Sequence, residues 1–434
     1  MAKEHFSKLV QFRQAAYRNL GRAARDALFE LSDAVMSTAA ANSFAELSCS
    51  KHFRRSWPSL YEALQDGRPD RQALMQLYCQ QVKADGRPIL AGDHTAWPRP
   101  SAYTLRDRTV EHQPTAVPGN RPITLGHGYS TLVWVPEEKG SWALPFVHER
   151  IPSQETALGV ASQQLRRVQS QLSVRVISLW DAEYGCAPFL LATADIPSDK
   201  VIRLRNNLSL AGPPGPYSGR GRHPVHGAKF KFKDPSTWSE PASGFELDDP
   251  DLGKLQVKIW KDLHLRKASQ CPMQVARLER LEKKGTRRFP KVIWVAWIGE
   301  EPPDPQTWWQ YYLRRYPVEH WYRFAKQRLY WTLPRFSSPE QGERWSDLMP
   351  LITWQLWLAR PLGIDQPLPW QKKQTELTPG RVAQGMDRIF AEIGTPTQMP
   401  KPRGNAPGWP KRCARAHRKR FDIVQRSKSA LPAA

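Results

Sequence analysis

Cysteine is scarce in this 434-residue chain. The five present, Cys49, Cys79, Cys186, Cys271 and Cys413, stand far apart, which excludes a CxxC pair, a zinc-ribbon spacing and a disulfide framework. That usage fits a reducing, cytoplasmic compartment. Long apolar runs are missing as well. The longest, such as KVIWVAWIG from Lys291, are strand-sized, against the ~20 residues that a membrane-spanning helix needs. The opening MAKEHFSKLVQFRQAAY is charged every few positions and lacks a signal-peptide pattern, so a soluble chain with no membrane partner is expected. Acidic residues are in deficit, 41 against 64 Lys and Arg, and the net charge of +23 favours a polyanion such as nucleic acid over a small neutral ligand.

Proline and tryptophan are plentiful, at 39 and 18. Proline implies short elements and stiff loops, and tryptophan supplies both core volume and stacking faces for bases. Residues 1–85 show helical spacing (Phe12, Tyr17, Leu20, Leu28, Leu31, then Leu60, Leu64, Leu74, Leu77) without strand alternation, which predicts an all-helical N-terminal region. Its Arg13, Arg18, Arg22, Arg25, Lys51, Arg54 and Arg55 form either a DNA-end-binding face or a solvated one. Over 86–205 the pattern becomes strand-length apolar runs, PILAG, GYSTLVWV and WALPFVH, then a helix-compatible stretch, the strand VRVISLW, a short helix from Ala187 and the strand KVIRLR. This α/β order, β-β-β-α-β-α-β, is that of the ribonuclease-H-like fold. Residues 206–290 read as a β-rich insertion. Residues 291–362 return to the core with a strand, an aromatic helix over 308–329 and a helix over 343–360. From 363 a basic, largely disordered tail is expected, with ten Lys and Arg against one acidic residue between Lys401 and Ala434.

Asp93 lies just past the first predicted strand, and Asp181 just past the fourth. If those strands are neighbours, the carboxylates converge on one sheet edge and can share divalent cations, although an aspartate at a strand end is more often a turn or cap residue. In YYLRRYPVEHWYRFAKQ, a continuous helix places Tyr312, Arg315, Glu319 and Lys326 within an arc of about 60°. An Arg315–Glu319 ion-pair stripe is the plain alternative, and Pro317 kinks such a helix.

The spacing Tyr312-x2-Arg315-x3-Glu319-x6-Lys326 resembles the YREK signature of bacterial insertion-sequence DDE transposases. The blocks WPRPSAYTLRDRT, DAEYG, GRHPVHGAKFKFKDPSTW and QLWLARPL resemble the DDE-superfamily endonuclease branch of that group. The resemblance implies a ribonuclease-H-like core in which Asp93, Asp181 and Glu319 are catalytic and bind two Mg2+ ions, with Mn2+ as a substitute. It also implies that Tyr312, Arg315 and Lys326 contact DNA phosphates. The implied activity is a transposase that cleaves at terminal inverted repeats and transfers strands, working at the nucleoid as at least a dimer on double-stranded DNA. A non-catalytic DNA-binding derivative and a same-fold nuclease without strand transfer are the alternatives. Trp238 and Trp260 are candidates for stacking a flipped base. His223 and His226 read as a turn or a DNA-facing pair, His94 and His320 as neighbours of the ligands, and Cys186 as a small buried residue.

Overall fold

The computed structural model of the chain describes residues 2–83, 86–112, 122–217, 219, 221–282, 290–401 and 417–426. Four helices come first: α1 (Ala2–Arg18), α2 (Arg25–Ser37), α3 (Pro58–Asp66) and α4 (Arg71–Cys79). Strands β1 (Ile89–Pro98), β2 (Thr109–His112), β3 (Ile123–Trp134) and β4 (Leu144–Ile151) follow. After them come α5 (Ala157–Gln169), β5 (Val176–Trp180), α6 (Ala187–Ala192) and β6 (Ser198–Leu204). The 206–290 stretch holds β7 (Ser209–Ala211), β8 (Lys229–Lys231), β9 (Ser243–Asp249), β10 (Gly253–Leu265) and β11 (Ala268–Arg280). The chain then forms β12 (Val292–Ile298), a 3-10 helix (Trp308–Arg315), α7 (Pro317–Gln327), α8 (Pro339–Ala359), α9 (Pro379–Gln384) and α10 (Met386–Ile393).

The strands build one mixed sheet in the order β2-β3-β1-β5-β6-β12-β11-β10-β7-β8, with β4 on β3 and β9 on β10. Pairing is parallel between β1 and β5 and between β5 and β6, and antiparallel elsewhere. The succession β4-β3-β1-β5-β6 is compatible with a ribonuclease-H-like arrangement. Every residue of β5 is buried, which is why VISLW is apolar without alternation. The strands of the 206–290 stretch extend the same sheet through the β11–β12 pairing.

The N-terminal helices pack on α8. Buried Arg13 donates to both oxygens of Asp33 on α2 at 2.8 Å and also to Gln355 on α8. Arg54 and Arg55 hold buried Glu30. Lys51 pairs with Asp387 at 3.2 Å, so four of the seven cations of the expected basic face are engaged in ion pairs within the chain, while Arg18 and Arg22 stay exposed.

The region from 363 departs from a largely disordered tail. α9 and α10 bury Val382, Met386 and Ile389, and the Phe390 ring receives the Arg13 guanidinium at 4.8 Å. Apolar residues at helical spacing outweigh the local proline content here. Residues 402–416 and 427–434 of the tail lie outside the described residues. Between them, Phe421 and Val424 donate their backbone N–H groups to the carbonyls of Tyr103 and Arg108, both at 2.9 Å. Arg426 pairs with Glu111 of β2 at 2.8 Å and donates to the Ile151 carbonyl at 3.1 Å. Glu111 is 5% exposed, and Gly128 leaves the room that Arg426 needs: a Cβ there would lie 2.7 Å from the Glu111 carboxylate and 3.1 Å from the Arg426 guanidinium.

Candidate active site

The last paired position between β1 and β5 sets Ala91 opposite Leu179. Asp93 and Asp181 each lie two residues further on, so the backbone carries both carboxylates to the same level of adjacent strands. β1 continues to Pro98 with Asp93 paired to Thr131 of β3, so Asp93 sits within the strand and not just past it. β5 ends at Trp180, which places Asp181 in the following turn. The Trp180 ring lies against the backbone of Gly92, where a Cβ would meet Cζ3 at 1.9 Å, and its indole N–H donates to Ser178 at 2.9 Å. Only glycine at 92 permits this approach.

The continuous helix expected over 308–329 is two elements, the 3-10 helix ending at Arg315 and α7 beginning at Pro317. Proline lacks the N–H that a helix interior uses and suits the first helical position, so it starts α7 instead of kinking a longer helix. Tyr312 and Arg315 therefore sit on one element, Glu319 and Lys326 on the next. The break does not scatter them. Arg315, 8% exposed, donates to Asp93 at 3.0 Å and to Glu319. The Tyr312 hydroxyl lies 3.5 Å from an Asp181 oxygen, the outer limit of a hydrogen bond. Lys326 donates to Thr95, two residues beyond Asp93, at 2.7 Å.

Electrostatics follow from burial and these partners. Burial opposes the charge on Arg315, but Asp93, with Tyr312, Asp181 and Glu319, carries its pKa above the ordinary guanidinium value. Burial raises the Tyr312 phenol and lowers the Lys326 ammonium. The three carboxylates are hard oxygen donors of the type that Mg2+ takes. Among the described residues, no three His, Cys, Asp or Glu side chains are gathered tightly enough to hold a metal ion as they stand. The donor set fits a divalent ion in kind, and in this structure the Arg315 guanidinium holds two of its members, Asp93 and Glu319.

Three neighbours escape sequence reasoning. The Tyr322 hydroxyl donates to the Asp93 carbonyl at 2.9 Å, and buried Tyr184 lies 3.3 Å from His94. Arg203 acts on the Tyr312 phenol, and its signal is a charged residue inside an otherwise buried strand. Other candidates resolve differently. Trp260 is 2% exposed, its N–H satisfied by the Ser239 carbonyl, so it is core and not a stacking platform. Trp238 is half-buried beneath the Arg277 guanidinium at 5.3 Å. His226 bonds His264 at 2.9 Å and His223 stacks on Tyr217. Cys186 is half-buried, just before α6, and His320 packs edge-on to Tyr316.

The sequence profile of the DDE superfamily endonucleases matches residues 16–267, a span that holds Asp93 and Asp181 and stops short of Glu319. No curated protein matches the chain.

Proposed function

The chain belongs to the DDE superfamily endonucleases, and from that premise we propose that it is a DNA transposase of the YREK-signature insertion-sequence group. It binds the terminal inverted repeats of its element, hydrolyses a phosphodiester at each end and joins the freed ends to target DNA. The observation that carries this reading is the meeting of Asp93 and Glu319 on one guanidinium, with Asp181 beside Tyr312. A surface ion-pair stripe does not require a partner on a distant core strand.

Asp93, Asp181 and Glu319 would hold two Mg2+ ions, or Mn2+ in their place, which supply Lewis acidity at the phosphate and a nucleophilic water at neutral pH. The protein's own part is to bind and orient. Arg315 and Lys326, with the Tyr312 phenol and Arg203 behind it, offer charge and hydrogen bonds to the phosphates on either side of the scissile bond. Burial of Arg315 keeps that charge out of bulk water, and in the lower dielectric it acts more strongly. In hydrolysis the water oxygen bonds to phosphorus as the P–O3′ bond breaks, leaving a 3′ hydroxyl and a 5′ phosphate. In strand transfer that hydroxyl replaces water, bonds to a target phosphorus and releases a target 3′ hydroxyl. Both ends must be held together, so at least a dimer assembles on DNA.

The test uses the purified protein and a plasmid carrying the DNA that flanks its own gene, with Mg2+ or EDTA, beside Asp181→Asn. Nicks at the repeat ends that need metal and vanish in the variant are the expected result. Tight binding with no metal-dependent cleavage assigns the chain to non-catalytic DNA binding, and cleavage without joining assigns it to nucleases.

A further inference from the structure

Four cations meet in a cleft of about 470 Å3 on the 206–290 extension of the sheet. Lys229 and Lys231 sit either side of Phe230 on β8, and because Phe230 is buried both lysines face the opposite way, side by side. Arg266 and Lys267 are the turn that joins β10 to β11. Between the two pairs lie the apolar surfaces of Leu265 and Pro188, and among the described residues no acidic side chain lines the cleft. Lys231 reaches Asp234 at 3.4 Å in an exposed pair; Lys229, Arg266 and Lys267 have no acidic partner among the described residues. Cations held on β8 and on the β10–β11 turn around an apolar strip, three of them without an acidic partner among the described residues, suit a polyanion whose charges alternate with apolar faces, as phosphates alternate with deoxyriboses along a nucleic-acid strand. Contacts from such cations to phosphate oxygens position a duplex without carrying sequence information.

Its place in the fold fixes its distance from the chemistry. Pro188 belongs to α6, the helix that follows Asp181 and packs on β11, so the cleft adjoins the element next to the carboxylate edge. Along the sheet, β6, β12, β11 and β10 separate β5 from β7. At about 4.8 Å per strand that is about 24 Å, or about seven base-pair steps of B-form DNA.

We infer that this cleft grips the sugar-phosphate backbone of duplex DNA within about seven base pairs of the cleaved position, irrespective of sequence. The location relative to cleavage rests on the transposase reading; the DNA grip does not. Two double variants test it, Arg266→Ala/Lys267→Ala in an exposed turn and Lys229→Ala/Lys231→Ala on β8. Affinity is measured for the element end and for a scrambled duplex across a salt series, with thermal melting as a check on folding. Removing either pair of cations makes the slope of log affinity against log salt shallower by about two, equally on both duplexes. Hydroxyl-radical protection disappears on one flank of the cut site. An unchanged slope in folded variants, a loss confined to the specific duplex, or a loss on phosphatidylserine vesicles without one on DNA overturns the inference. If the parent protein never cleaves but the variants lose DNA affinity, the catalytic reading fails and the grip stands. If the parent cleaves and the variants bind unchanged, the grip alone fails.

Discussion

Arg315 donates to Asp93 at 3.0 Å across 222 positions of sequence, and the same guanidinium reaches Glu319. One buried cation thus bridges two carboxylates from different elements and offsets only one of their two charges, so under the proposed two-metal reading a metal competes with it for the same oxygens. A DNA phosphate offers Arg315 an alternative partner of like geometry.

Arg315→Ala removes that competitor. Mn2+ binding to the DNA-free protein, read by electron paramagnetic resonance, tightens several-fold, while cleavage at saturating DNA falls by about 10²-fold or more, as for other lost donors to a developing charge. Arg315→Lys does not restore cleavage, because an ammonium lacks the planar fork that grips two phosphate oxygens at once. Unaltered Mn2+ affinity in the alanine variant would refute the competition.

Gly92→Ala drives a methyl into the Trp180 ring. The strands must separate or the indole must leave its rotamer, at a cost of about 1–3 kcal/mol. A lower melting temperature and a loss of cleavage larger than the loss of DNA affinity are expected, since Asp93 and Asp181 shift relative to each other. Trp180→Phe combined with Gly92→Ala should recover part of the stability; no recovery argues against a steric origin.

Arg426→Ala strands the Glu111 carboxylate at 5% exposure. Leaving a buried charge unpaired costs about 3–5 kcal/mol, and Glu111→Gln in the same background returns much of it. Chemical denaturation of the three proteins measures both effects, and equal stabilities would show that Arg426 contributes nothing.

Burial pushes His148 down to about 3 and His127 down to about 4. Both therefore stay neutral in the folded protein where the unfolded chain takes up protons near 6.5. The unfolded state binds more protons below that value, so stability is full above it and declines toward pH 4, by about 1.4 kcal/mol per pH unit for each histidine. Asp347, raised by burial to about 6, acts in the opposite sense over the range from 6 down to its unfolded value. His148→Phe should flatten the acid-side fall in melting temperature; a profile that superimposes on the parent's contradicts this assignment.

Much of the strand succession is legible because apolar runs such as VISLW and YSTLVW announce themselves by length. The meeting of Asp93 with Asp181 is readable only through topology, since nothing local distinguishes either from a turn aspartate. Pro317 is visible in the sequence, but whether it kinks a helix or starts one depends on what packs around Arg315. Trp238 and Trp260 look alike as letters and differ in burial because β10 is covered where Trp260 lies. The α9–α10 segment is hidden by its proline-rich flanks, and the Arg13 ion pair by a partner brought close through folding. Tyr322 and Arg203 carry no motif and enter the site only through the register of their elements.

The stretch that seats on β2 is encoded more than three hundred positions after the residues it covers; Arg108 and Phe421 are 313 apart. During synthesis the edge that carries Glu111 emerges from the ribosome long before its arginine exists. The nascent chain therefore carries an unmet acid while more than three hundred further positions are made, and the β2 edge is sealed only after every strand of the sheet has emerged.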